Sequence, residues 1–461
     1  MGLAALPHHV PRLALQLAIV VLSALNATGQ AAAAEPTLVI EGCSLFDPYS
    51  ETMLPSRTIV VRGERIEAVL AGNEHFEAAK DALHIDGRGK FVLPGLIDAH
   101  VHLVHVLDLA GVSGEEVLPL YLAAGVTSVR STGDEIVAAT KVKDYAEAHA
   151  ATSPRVFLCS PLLDADPPIH VNTGRAVTSA SEVPTLLDDL LRRHVTTLKI
   201  YARTERAVGK TIIDEGHRRG FFVTAHLGGY SAQHAVADGI DGLEHIWSVF
   251  NYSLPPGAAR STVDLDNAQC TALIEQLVQH KTYVDPTLVV FRNMILLPDI
   301  TEVSGHTDNA LAPAKLREFW PLYLQRSGCP QGGPLADRRC EFAKYQELTG
   351  KLFRAGVPLL VGTDAPEPQV TPGFSLHQEL ELLVESGVPP AAALRAATLH
   401  NATVLKQQEH LGSVAAGKLA DLVVLSANPL DDIQNTRQIE WVIRGGAAAR
   451  PAELLAAQRP K

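Results

Sequence analysis

Apolar residues in this chain gather into short runs, separated by longer stretches in which apolar positions recur every three or four residues. The runs are Phe91–Ala99, Thr127–Arg130, Arg155–Leu158, Val195–Leu198, Phe221–Ala225, Gly242–Glu244, Thr282–Asp285 and Val357–Thr363. Each has the length of a strand without the alternation of a half-exposed one, which reads as a parallel strand buried on both faces. Between them, Val183–Arg193 and Ser375–Glu385 carry the spacing of helices. Strands alternating with helices predict an α/β fold, a (β/α)8 TIM barrel over residues 94–404. On either side, Thr37–Ile40, Thr58–Val61, Arg65–Val69, Leu422–Leu425 and Trp441–Ile443 have the look of short antiparallel strands. One stretch breaks the rhythm: residues 297–350 run long between the seventh and eighth strands and are rich in Pro, Gly and charge. A segment of that length reads as a substrate-facing insertion, a lid, or else as a solvated decoration.

The polar residues that interrupt these runs matter most. His100 and His102 stand two apart at the end of the first run, and strand side chains two apart point the same way. Lys199 closes the fourth run, His226 the fifth, His245 follows the sixth, and Asp364 the eighth. In a barrel the strand C-termini converge on one mouth, where active sites are built. Six polar side chains at the ends of five strands therefore predict one shared cavity, and neutral imidazole is the commonest side-chain metal ligand.

The motifs that hold these residues resemble a known family. Pro94-Gly95-Leu96-Ile97-Asp98-Ala99-His100-Val101-His102 resembles the opening motif of the metal-dependent amidohydrolase superfamily, and Gly362-Thr363-Asp364-Ala365 its closing aspartate motif. Ala396-Ala397-Thr398, Gly412-Ser413-Val414 and Gly417-Lys418-Leu419-Ala420-Asp421-Leu422-Val423-Val424-Leu425 resemble the family's tail. Within the superfamily the chain is most similar to the branch of imidazolonepropionase-related proteins and bacterial prolidases. The resemblance implies that both chain ends form a small composite β-sandwich, residues 35–93 with 405–450, beside the barrel.

It also implies roles. His100, His102 and Asp364 would hold one metal ion, His226 and His245 a second, and Lys199 would bridge them. An ammonium has no lone pair, so Lys199 can bridge only after its neutral amine takes up carbon dioxide as a carbamate; burial lowers a lysine's pKa and favours that amine. Nitrogen and oxygen ligands together suit Zn²⁺, with Mn²⁺, Co²⁺ or Fe²⁺ as alternatives. Two ions ~3.5–4 Å apart would share a hydroxide that attacks an amide carbonyl, with Asp364 moving its proton to the departing amine. The substrate implied is a small amide or dipeptide, as for a dipeptidase or an N-acyl amino acid hydrolase. His170, Tyr201, Arg203 and Tyr230 follow strands and are candidates for binding a carbonyl oxygen or carboxylate.

Composition narrows the setting. A hydrophobic content of 46% with 20% charged residues is that of an ordinary globular enzyme, and a net charge of −12 argues against nucleic acid or anionic membrane as a partner. Arg12 precedes an apolar stretch, Leu13–Leu25, shorter than the ~20 residues a bilayer span needs. The small residues Ala31–Ala34 follow it, so residues 1–34 read as a signal peptide rather than an uncleaved anchor, and the protein as exported with no stable membrane anchor. Export permits disulfides, and Cys329 with Cys340 is the best candidate pair. Cys43 and Cys159 sit among apolar neighbours, and no Cys-x-x-Cys offers a thiolate zinc site. A homo-oligomer is compatible with all of this.

Three other readings stand beside the dinuclear amidohydrolase. A mononuclear hydrolase or deaminase of the same fold would not need Lys199. A lactonase would turn the same hydroxide on an easier carbonyl. An exported binding protein would keep the barrel without turnover, since fold does not fix function.

Overall fold

In a computed structural model of the protein, residues 37–72, 74, 82–296, 306–326 and 334–457 are described; the expected signal peptide, 1–34, lies outside them. Strands β1 (Thr37–Asp47), β2 (Thr52–Arg62), β3 (Arg65–Ala71), β4 (Leu83–Asp86) and β5 (Phe91–Pro94) come first. The barrel strands follow: β6 (Leu96–Val101), β7 (Val126–Gly133), β8 (Arg155–Asp164) with the short β9 (Gly174–Ala176) at its side, β10 (Thr197–Ile200), β11 (Phe222–Ala225), β12 (Gly242–Glu244) and β13 (Tyr283–Asp285). The chain ends with β14 (Leu422–Leu425), β15 (Ile439–Arg444) and β16 (Ala447–Ala449).

The first apolar run is two strands, divided at Gly95. Phe91–Pro94 pairs with β1 and β14, whereas Leu96–Val101 pairs with β7. Gly95 turns the chain where a Cβ would lie 2.1 Å from Thr127 Oγ1, so no other residue fits there.

β6, β7, β8, β10, β11, β12 and β13 pair in parallel, each with the next. Residues 358–365 fill the gap between β13 and β6. Leu360 N donates to Val284 O at 2.9 Å on one side, and Ala99 N to Val361 O at 3.0 Å and Asp364 N to His100 O at 2.8 Å on the other. The ring is thereby a closed eight-membered barrel. All residues of β6, β7, β10 and β11 are buried, which is why these strands appear in sequence as unbroken apolar runs. Helix Val183–Arg192 buries Val183, Leu187 and Leu190 on its inner stripe, and helix Ser375–Glu385 buries Leu376, Leu380 and Leu383.

Both chain ends form one mostly antiparallel sheet in the order β16-β15-β14-β5-β1-β2-β3, with β4 also on β1. Ile40, Ile59, Val61, Val92, Leu422, Val424 and Ile443 make its core. Asp421 joins it to the barrel: Arg155 donates to its two carboxylate oxygens at 2.8 and 3.1 Å, and Gly95 N donates to its carbonyl at 2.7 Å.

The segment expected as an irregular insertion is mostly helical where it is described: Thr307–Leu311, Ala314–Arg326 and Leu335–Ala355. Leu316 and Trp320, then Phe342, Tyr345, Leu348 and Leu352, recur at helical spacing and are buried, so the segment has an apolar stripe that its Pro and Gly content obscured. Cys340 is exposed on the last of these helices, and Cys329, its expected disulfide partner, lies outside the described residues. Among the described residues no helix is long and apolar enough to cross a membrane.

Candidate metal centre

His100 and His102 project from the end of β6, Lys199 from β10, and His226, His245 and Asp364 from the residues just past β11, β12 and the eighth strand. The six meet at one mouth. His100 Nε2 lies 3.0 Å from Lys199 Nζ and 3.5 Å from Asp364 Oδ1, and His102 Nε2 lies 2.9 Å from the same oxygen. The His245 ring centre is 4.7 Å from those of both His100 and His226, and His245 Nδ1 is 2.8 Å from Thr287 Oγ1. Ligand atoms of His100, His245 and Asp364 all fall within 4.8 Å of one another. His245 and Asp364 hold positive φ angles of 68° and 63°, a strain on side chains with a Cβ that is found at sites of function. Backbone bonds hold both in place: His245 N donates to Asp285 O at 2.7 Å, and Asp364 N donates to His100 O.

Beneath this layer is a second set of buried polar groups. Glu244 accepts from His100 Nδ1 at 2.9 Å and from Arg130 Nη2 at 2.6 Å, and Arg130 Nε donates to Ala99 O at 2.5 Å. His100 therefore turns Nε2 toward the mouth. Asp98 accepts from Thr363 Oγ1 at 2.7 Å and from the amides of Thr363 and His100 at 3.1 and 3.2 Å, which fixes the strand of Asp364 against that of His100. Asp285, 3.6 Å from His100 Nδ1, has no hydrogen-bond partner on either oxygen, and burial pushes its carboxyl above the usual range.

Burial opposes charge on His100 as well, but Glu244 and Asp364 outweigh it and hold that imidazole up to about 9, whereas at His226, His245 and Lys199 the surroundings favour neutral nitrogen donors. Burial, with Lys199 close by, pulls His226 down to about 3, and burial pulls His245 well below its ordinary value. Burial also lowers the Lys199 amine. Glu244 is opposed by burial but held well below the carboxylate range by Arg130 and His100. Four imidazoles, an amine and a carboxylate thus crowd one buried spot, and the lysine would set a cation against them unless it is neutral or converted. That donor set fits divalent first-row ions.

The cavity above has a volume of about 320 Å³. His102, Lys199, His226, His245 and Asp364 line it with His105, His170, Tyr201 and Glu367, and Leu162, Trp247, Phe291, Met294 and Tyr323 supply its apolar wall. His170 and Tyr201 face each other, Nε2 to OH 3.0 Å. Two other substrate candidates fall elsewhere. Tyr230 is buried behind the site with its hydroxyl on Asp238 at 2.8 Å and its ring against Gly209. Arg203 is exposed, with its guanidinium on Pro167 O at 3.0 Å. Both follow strands, but a position a few residues into a loop does not fix a side chain's direction. Sequence reasoning missed Arg130, Glu244, Asp285 and Glu367. A charged residue inside an apolar strand run was the available signal for the first three.

A closed parallel barrel with histidines, a lysine and an aspartate gathered at its C-terminal mouth is the arrangement of an enzyme with a candidate metal centre. The chain belongs to the Amidohydrolase family, whose model matches residues 91–448. It is a hydrolase acting on carbon–nitrogen bonds, on the imidazolonepropionase and prolidase-related branch. An imidazolonepropionase of Aromatoleum aromaticum is 27% identical over 402 residues, covering 82% of this chain and 86% of that protein. A crystal structure from Bifidobacterium longum, provisionally described as a prolidase, is 27% identical with a TM-score of 0.68, covering 92% of this chain and 100% of that one. A Xaa-Pro dipeptidase with methionine bound in its active site shares the fold at 21% identity and a TM-score of 0.66, covering 90% of this chain and 100% of that one.

Proposed function

We propose that this protein is an exported dinuclear-metal amidohydrolase that cleaves the amide bond of a small substrate, a dipeptide or an N-acyl amino acid. One observation carries the reading: the buried amine of Lys199, its pKa lowered by burial, lies 3.0 Å from His100 Nε2 in the same cluster as His226, His245 and Asp364. A mononuclear site has no use for a lysine at that point. His100, His102 and Asp364 would hold one ion, His226 and His245 the other, and Lys199, as its carbamate, would serve both. Two divalent ions, zinc first among them, would supply a hydroxide nucleophile near neutral pH and polarise the scissile carbonyl.

The chain's own residues do the rest. Asp364, with Oδ1 engaged by His102, keeps Oδ2 for the proton of the nucleophile and passes it to the departing nitrogen, which cannot leave as an amide anion. His170 and Tyr201, paired at 3.0 Å, present one hydroxyl and one imidazole to a carbonyl or carboxylate oxygen. Trp247, Phe291 and Met294 exclude water from the wall above His226 and His245.

Elemental analysis of protein purified without chelator, with turnover of Xaa-Pro dipeptides, N-acyl amino acids and lactones, tests the reading. About two ions per chain and amide cleavage are expected. Asp364→Asn should fold and bind substrate yet lose nearly all turnover. One ion per chain, or turnover of lactones alone, would overturn the reading.

A further inference from the structure

Glu367 has no part in the chemistry above. It sits three residues past Asp364, is 8% exposed and lines the cavity, and its Oε2 has no hydrogen-bond partner among the described residues. The other oxygen has one weak neighbour, Tyr323 OH at 3.4 Å. Apart from Asp364 it is the only carboxylate lining the cavity among the described residues, and no guanidinium lines it. A buried acceptor left without a donor is costly, and structures keep such groups where a ligand completes them.

The backbone that carries Glu367 is held firmly. Trp320 Nε1 donates to Pro366 O at 2.9 Å, Asn293 Nδ2 to Gln369 O at 3.0 Å and Asn309 Nδ2 to Gln369 Oε1 at 2.6 Å. Glu367 N itself donates to Asp364 O at 3.0 Å, and Val370 N to Glu367 O at 2.8 Å. All these partners belong to the helical segments that follow β13 or to the turn itself. The main chain that carries the carboxyl is therefore fixed. The carboxyl lines the cavity beside the Tyr323 phenol.

We infer that Glu367, with Tyr323 beside it, is the subsite for a cationic amine of the substrate. The inference rests on the proposed amide hydrolysis and narrows its substrate class: an unblocked peptide or amino amide carrying an ammonium group is favoured over an N-acylated one. Burial and the nearby Asp364 push the Glu367 carboxyl well above the usual carboxylate range while it stands alone. An ammonium seated against it restores the charged form and binds through charge-assisted hydrogen bonds, whereas an N-acyl group brings no charge to do so.

The test uses the full-length, metal-loaded protein and a probe that needs no turnover. Binding of n-butylammonium and of its uncharged analogue 1-pentanol is followed by ligand-observed NMR for wild type, Glu367→Gln and Tyr323→Phe. Metal content and melting temperature of each variant serve as fold controls. The expected result is that wild type prefers the ammonium, that Glu367→Gln loses about tenfold or more of that preference, and that Tyr323→Phe loses a few-fold. Equal binding of the two probes by wild type, no ammonium binding by wild type, or an unchanged preference in Glu367→Gln would each overturn the inference. Failure of the amide-hydrolysis reading shows separately, as absent amide turnover in wild type whatever the ammonium probe does.

Discussion

Replacing Glu244 by glutamine tests whether His100 is aimed from beneath. The carboxylate accepts on both oxygens, from Arg130 Nη2 at 2.6 Å and from His100 Nδ1 at 2.9 Å. It can serve two donors because it only accepts; an amide has one acceptor oxygen and one NH2. If the glutamine oxygen faces His100, its NH2 meets the guanidinium donor to donor. If the oxygen faces Arg130, the NH2 must donate to His100 Nδ1. The ring proton then moves to Nε2 and the lone pair beside Lys199 and Asp364 is lost. Loss of a group that supports a metal-binding histidine typically weakens metal affinity ~10–100-fold. Stranding a buried cation costs about 3–5 kcal/mol. The Asp285 carboxyl, which acts electrostatically on Arg130, absorbs part of that charge, so the lower end of the range is expected. Zinc affinity is read by competition with a chromophoric chelator, and stability by urea denaturation of metal-free protein. A Glu244→Gln variant with wild-type zinc affinity and stability would refute the argument and leave Asp285 as the group that orients His100.

Three further outcomes follow from the same geometry. Lys199→Ala should drop from two bound ions to one or none, with partial rescue by short carboxylates, as read by elemental analysis with and without added propionate. Gly362→Ala would place a Cβ 2.3 Å from Asp285 Oδ2 and 2.5 Å from His100 Cβ, so a melting-temperature loss equivalent to about 1–3 kcal/mol is expected, with weakened zinc binding. His377, buried between Thr436 Oγ1 and Ala124 O, is pulled by burial from 6.5 to about 3. As pH falls below 6.5 the unfolded chain takes up a proton that the folded chain refuses until about 3, so its stability contribution is complete above that window and lost within it. Unfolding free energies from denaturant titrations between pH 7 and 4 should fall by roughly 1.4 kcal/mol per pH unit at most from this group, and His377→Gln should flatten the slope.

The barrel was legible because its strands are buried on both faces and appear in sequence as apolar runs; Leu198 and Val223 are wholly buried where such runs predicted them. The cluster at the barrel mouth was legible because His100, His102, Lys199 and Asp364 each interrupt or end such a run. Glu244 was hidden by standing next to His245, where one charged residue drew attention from another. Arg130 was counted only as part of a strand, although a guanidinium inside a barrel must find an internal partner. Tyr230 and Arg203 lie in loops, where direction depends on tertiary contacts with Asp238 and Pro167 that sequence spacing does not encode. The division of the first run at Gly95 was missed because both halves are equally apolar, and only the close approach of Thr127 requires the turn.

The sheet shared by the two chain ends also governs when the molecule can finish folding. β5 pairs along its whole length with β14, so the strand begun at Phe91 waits for Leu422–Leu425. At ~5–20 residues per second, a ribosome needs on the order of half a minute to make the intervening chain. For that time the outer edge of β5 is open to pairing with another chain. Contacts so distant in sequence also make the last folding step slow. A product that stops short of β14 would carry every candidate metal ligand and the whole barrel, yet keep an open edge that favours aggregation over enzyme.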